Sequence, residues 1–249
     1  MKKFSVYVIL PVLAAALIFC ACGKASAPAE ITDKQSAVPA QELTVQPTLE
    51  PTPEPTPEPV YQPMEVYRDV LSLWKTAVNE TWDFETLENN GLNYMAYYCY
   101  SNAPADRLGY QISDLDGDGS EELLVGSITG DDYQDKIVLQ LYTMENGEAK
   151  LVFNSGERDR YYLCSDGTIA NEGSSSAYET SYNYYSYSSG ELQLMGSVLF
   201  NMSLNREQPW YFVLGENRTN VDEATANAKI AEYQAVYTTP QYTPFAQYQ

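Results

Sequence analysis

The chain of 249 residues contains no histidine. That absence removes every Ser-His-Asp or Cys-His catalytic arrangement, and every zinc site built on imidazole. Basic residues are also scarce: 14 Lys and Arg stand against 34 Asp and Glu, a formal charge of −20. So acidic a chain is repelled by nucleic acid and by anionic lipid, and it suits cations and polar, non-anionic ligands. A long apolar run occurs only at the N-terminus, from about Val6 to Ala21, shorter than the roughly 20 residues a spanning helix needs. What is abundant is tyrosine, with 22 residues, and a chain so rich in aromatic side chains is not a disordered one.

Lys2 and Lys3 precede the apolar run, and a polar, proline-rich stretch follows it, the layout of a secretory signal peptide over residues 1–21. The run ends in Leu17-Ile18-Phe19-Cys20-Ala21-Cys22-Gly23-Lys24, which resembles the lipobox of bacterial lipoproteins. Small residues flank Cys22, whereas bulky Phe19 precedes Cys20, so the resemblance implies that Cys22 is diacylated and becomes the mature N-terminus. Two acyl chains hold a protein stably where one holds it marginally. Residues 22–63 then form a linker with proline at alternate positions from Pro51 to Pro59. Such a segment has no helix available to it and adopts extended polyproline II. At ~3.1 Å per residue its reach is on the order of 100 Å, suited to a thick wall of the Gram-positive type. The expected location is the outer face of the cell membrane, with the membrane itself as partner through the lipid.

Residues 64–249 read as one globular α+β domain. Apolar residues of helical period run from Met64 to Thr81, and a second helix is expected over Gly91–Tyr100. Strand-like runs follow at Leu108–Ser113, Leu123–Ile128, Lys136–Met144, Lys150–Asn154 and Arg160–Cys164, then at Tyr178–Ser186, Glu191–Met202 and Trp210–Leu214. Asn146-Gly147, Asp166-Gly167 and Ser188-Ser189-Gly190 read as hairpin turns. A closing helix spans Asp222–Tyr237, capped by Asp222 or Asn220. Short connections make the sheet mostly antiparallel. The Pro-containing tail with Tyr242 and Phe245 is expected to lie as an extended strap over the domain.

The most informative segment is Asp114-Leu115-Asp116-Gly117-Asp118-Gly119-Ser120-Glu121-Glu122. Asp114, Asp116 and Asp118 fall at positions 1, 3 and 5 of a calcium loop, and Gly119 falls at the sixth, where the chain turns sharply. The Ser120 carbonyl would serve at the seventh position and Glu122 would close the site around one Ca²⁺. The twelfth position is Val125 and the flanks read as strands, so this is no EF-hand. The segment resembles the calcium loop of integrin-like propeller repeats. A second copy is lacking, which excludes a propeller and leaves a lone calcium clip, or else a solvated acidic turn. The chain from Met64 to Phe245 also resembles clostridial surface lipoproteins of unassigned function, through this loop and through Glu88–Met95 and Gly156–Leu163. That resemblance implies export and a shared fold, and no activity.

Three further features of the chain admit two roles each. Cys99 and Cys164 are either a disulfide or two buried thiols. Glu157, Arg158, Asp159 and Arg160 are either a salt-bridged turn or the lining of a polar site. Tyr178, Tyr182 and Tyr184 share one strand face, as a platform for a glycan or peptide or as ordinary packing. The function expected is that of a membrane-anchored, calcium-stabilised domain that binds a polar ligand or cell-surface partner. The alternatives are a structural or interaction protein of the envelope without a small ligand, and a glycoside hydrolase using paired carboxylates.

Overall fold

A computed structural model describes residues 62–249; the signal peptide, Cys22 and nearly all of the linker expected above lie outside the described residues. The chain opens with α1 (Pro63–Val66) and α2 (Arg68–Glu80), then α3 (Phe84–Asn89), α4 (Ala96–Cys99) and α5 (Pro104–Arg107). The strands are β1 (Leu108–Ser113), β2 (Glu122–Ser127), β3 (Ile137–Glu145), β4 (Glu148–Asn154), β5 (Asp159–Leu163), β6 (Thr168–Ser176), β7 (Glu179–Ser188), β8 (Glu191–Asn201), β9 (Trp210–Leu214) and β10 (Asn217–Asn220). Helix α6 (Glu223–Gln234) and strand β11 (Thr243–Pro244) follow, with single 3₁₀ turns at Gln134–Lys136 before β3 and at Phe245–Gln247 after β11. All strands belong to one open antiparallel sheet in the order β10-β9-β8-β7-β6-β5-β3-β2-β1-β11. The second edge of β3 is shared: Ile137 and Val138 pair with β5, and Gln140 to Glu145 pair with β4.

The helices cover one sheet face. Leu71, Trp74, Ala77 and Val78 of α2 are buried at helical spacing against Leu123, Val125 and Leu139, as the apolar period requires. The α2 helix ends at Thr81, whose backbone is left-handed. Further along the same face, Ala226 and Ile230 of α6 pack on Val198, and the Asp222 carboxylate caps that helix by accepting from the Thr225 amide at 2.8 Å. A smaller apolar cluster of Leu124, Val138, Leu141, Phe153, Ile169 and Tyr187 sits on the other face. Most polar groups in the interior are paired, as burial demands; among the described residues the Arg160 Nε and the hydroxyls of Tyr187 and Tyr242 are not. Gln140 accepts from the Trp74 indole at 3.1 Å and from the Tyr142 hydroxyl at 2.9 Å, and donates to the Gly91 carbonyl at 2.9 Å.

The helix expected over Gly91–Tyr100 shrinks to Ala96–Cys99. Asn93 is the reason. Its buried side chain donates to the carbonyls of Leu139 and Ser155 at 2.9 and 2.7 Å, and accepts from the Met95 amide at 2.9 Å. A side chain tied to strand carbonyls holds this segment out of helix until Met95. Among the described residues no helix is long and apolar enough to cross a membrane.

The tail closes the sheet edge. Thr243 and Pro244 pair with Tyr110 and Gly109, and fully buried Phe245 lies 6.0 Å from Trp74, nearly parallel to it, and 5.5 Å from Tyr110. Two glycines make room for this strap: a Cβ on Gly109 would meet the Thr243 carbonyl oxygen at 2.5 Å, and one on Gly126 would meet the Tyr242 ring at 2.2 Å. Phe245→Ala is expected to lower unfolding free energy by about 3–5 kcal/mol, the usual range for emptying a buried phenyl site, measured by urea denaturation of the full chain; a change below about 1 kcal/mol would mean that the strap is peripheral.

Candidate metal centre

The β1–β2 connection folds around its own carboxylates. Asp114 accepts from the amides of Gly117 and Gly119 at 2.7 and 3.0 Å. Asp116 accepts from the Asp118 amide at 3.1 Å, and Asp118 from the Ser120 amide at 2.8 Å. Each short side chain thus organises the backbone just after it, a habit of aspartate in turns. Gly117 and Gly119 take φ of +78° and +92°, where a Cβ is unfavourable. The result brings carboxylate oxygens of Asp114, Asp116 and Glu122 within 4.8 Å of one another.

Glu122 differs from the other two. It is fully buried beneath the loop, where its carboxylate accepts from the Leu115 amide at 3.0 Å and from the Thr143 hydroxyl at 3.3 Å. Burial is the main cause that holds its pKa above the ordinary glutamate value, and the charges of Asp116 and Asp118 add to it. Tyr187, a buried residue of β7, has a hydroxyl without a hydrogen-bond partner, and this phenol lies close enough to Glu122 for the two groups to perturb each other. Three carboxylates at this spacing, one of them desolvated, are able to hold a metal ion.

A second element locks onto the loop. The turn between β7 and β8 presents Ser189, whose amide donates to Asp116 at 2.5 Å and whose hydroxyl donates to Asp118 at 2.9 Å. Asp118, placed among the metal ligands by its position in the sequence, therefore faces Ser189 and is not in the cluster of three. Hydrogen bonding from the Ser120 amide is the largest cause that lowers its pKa. Ser120 enters through that amide, and the expectation for its carbonyl gains no support from the contacts seen. Tyr187, Thr143 and Ser189 were not legible as parts of the site, because they come from strands remote in sequence; the Ser188-Ser189-Gly190 signal marked only a turn.

The remaining candidates fall elsewhere. Cys99 and Cys164 are separate, unbridged thiols, both buried. Burial pushes the Cys99 thiol up to about 11, so it is a small core residue with little thiolate at neutral pH, and it reacts slowly. The tyrosine platform does not form. Tyr178 lies in the β6–β7 turn, outside the strand. Tyr182 packs against Val198, Ala226 and Ile230, and buried Tyr184 stacks on Tyr233 with ring centroids 3.3 Å apart. Helix α6 covers the face on which these side chains meet it, so packing explains Tyr182 and Tyr184. Among the described residues, none of Glu157, Arg158, Asp159 and Arg160 makes an ion pair, which removes the salt-bridged turn.

Comparison of the chain with protein families, with curated proteins and with solved structures finds no match.

The fit between loop and turn depends on Gly190. Its φ is +78°, and a Cβ there would meet Thr143 Cγ2 at 2.5 Å. Gly190→Ala is expected to destabilise the protein by at least about 1–2 kcal/mol, the cost of a left-handed alanine alone, read from the urea midpoint. An unchanged midpoint would show that the turn is free to move away from the loop.

Proposed function

We propose that the β1–β2 loop binds one Ca²⁺ and that the ion fastens the β7–β8 turn to it, stiffening a domain carried outside the cell on a lipid at Cys22. The observation that carries the metal reading is the convergence of Asp114, Asp116 and Glu122 within 4.8 Å, with Glu122 buried. An all-oxygen, carboxylate-rich donor set in a loop that also offers backbone carbonyls suits a hard cation with six to eight ligands. The absence of histidine and the burial of both described thiols argue against softer metals. The ion would replace mutual repulsion by attraction, and so act on stability before it acts on any ligand. The lipid reading is supported by the residues around Cys22 and by the proline-rich spacer. Under it the domain serves as a calcium-stabilised binding or interaction module of the envelope.

Calorimetric titration of Ca²⁺ into the full chain is expected to give one saturable site and a higher melting temperature, with both effects lost in Asp114→Ala and in Glu122→Ala. Affinity is expected to fall as pH is lowered through the raised Glu122 pKa, because the ion must then displace a proton. Absence of binding at millimolar calcium would reduce the loop to an acidic turn. Labelled palmitate is expected to enter the chain expressed in a Gram-positive host and to be lost in Cys22→Ala; label retained in that variant would remove the anchor.

A further inference from the structure

The mixed-charge run Glu157–Arg160 takes no part in the metal centre, and β5 begins inside it, so its side chains separate. Asp159 and Tyr161 point with Asn171 and Asn183 into an open polar groove. Glu157 and Arg160 instead stand at the mouth of a cavity of about 180 Å³. Its floor is made of the buried side chains of Met95, Cys99, Ile137 and Leu139. Tyr98 and Tyr133 overhang it, 59% and 50% exposed although both are large aromatic residues.

Arg160 is the unusual feature. Its Nη1 donates to the Tyr133 hydroxyl at 2.5 Å, and the guanidinium lies 5.6 Å from that ring's centroid. Its Nε is shielded from solvent and has no hydrogen-bond partner. A charged donor left unpaired is costly, and native proteins keep such groups where a ligand, water or ion completes them. Arg160 as a whole is half-exposed at the cavity mouth, where the remaining N–H groups of its guanidinium offer charge-assisted donors to a carboxylate. Glu157 supplies the opposite charge at the same mouth, where it also holds the Tyr98 phenol above the usual tyrosine pKa by hydrogen bonding. One cation and one anion above an apolar floor complement a zwitterion with an apolar side chain. In a chain of charge −20 a ligand without net charge also escapes the repulsion that an anion would meet. The volume is below that of a drug-sized site, which favours a single small molecule over a polymer.

We propose that this cavity binds a free apolar α-amino acid, with its carboxylate on Arg160, its ammonium on Glu157 and its side chain on Met95, Ile137 and Leu139. This reading does not depend on the metal centre. The test uses L-leucine as probe, titrated calorimetrically into the full chain. A second readout is the rate of Cys99 alkylation, mapped by peptide mass spectrometry, since a bound side chain shields the floor. Saturable binding and slower alkylation of Cys99 are expected. Arg160→Gln and Glu157→Gln are each expected to weaken binding by roughly tenfold or more, the loss of one charge-assisted contact. N-acetyl-L-leucine and L-leucine amide, each lacking one of the two charges, are expected to bind correspondingly less well. No heat and no protection of Cys99 at millimolar leucine would overturn the proposal. So would equal binding of the acetylated compound, or unchanged affinity in Arg160→Gln. Glu157 is exposed, so its variant remains informative should Arg160→Gln fold poorly.

Discussion

Three carboxylates crowd within 4.8 Å at one end of the sheet, and one of them, Glu122, is buried beneath the loop that carries the others. Like charges at this distance repel, and a desolvated one is costlier still. The backbone answers part of that cost through amides of Leu115, Gly117 and Gly119 turned toward the oxygens. Ser189 answers another part from the far side of the sheet order, since β7 and β8 are separated from β1 and β2 by β6, β5 and β3. The loop is therefore where two distant portions of one open sheet meet, and a cation placed there would bear on both.

The helical layer supplies the stability that this arrangement draws on. Trp74, Phe245 and Tyr110 bind the first long helix, the tail and the edge strand into one aromatic cluster. Tyr184, Tyr233, Tyr162 and Tyr237 do the same beneath the last helix. The high tyrosine content thus serves mainly as packing with a polar tip: Tyr67 reaches the Glu121 carbonyl at 2.8 Å from within the core, next to the acidic loop. Among the described residues only a few tyrosines stand out from the surface, and two of them, Tyr98 and Tyr133, frame the small cavity under Arg160.

Local chemistry was legible in the sequence wherever it was self-contained. Strand β1 and the turn glycines follow from alternation and from Asn-Gly or Asp-Gly pairs, and Asp222 caps its helix as its position before Glu223 suggests. Strand β6 escaped notice because Thr168–Ser176 reads as small and polar, yet it is held between two neighbours whose ladders it completes. The acidic loop was legible as a motif, but the departure of Asp118 toward Ser189 depends on a turn some 70 residues away in sequence. For the same reason the tyrosine face could not be assigned before α6 was placed on it. The charge run Glu157–Arg160 was visible as composition, whereas its division between two sheet faces required knowing where β5 begins.

Hydrogen–deuterium exchange of the full chain, with calcium and with chelator, decides whether one ion couples the loop to the turn. Calcium is expected to slow exchange in residues 114–122 and, in the same titration, in residues 187–190 at the end of β7 and its turn into β8. Protection confined to the loop, or protection absent from both segments, would contradict the claim that an ion at Asp114, Asp116 and Glu122 fastens the two parts of the sheet together.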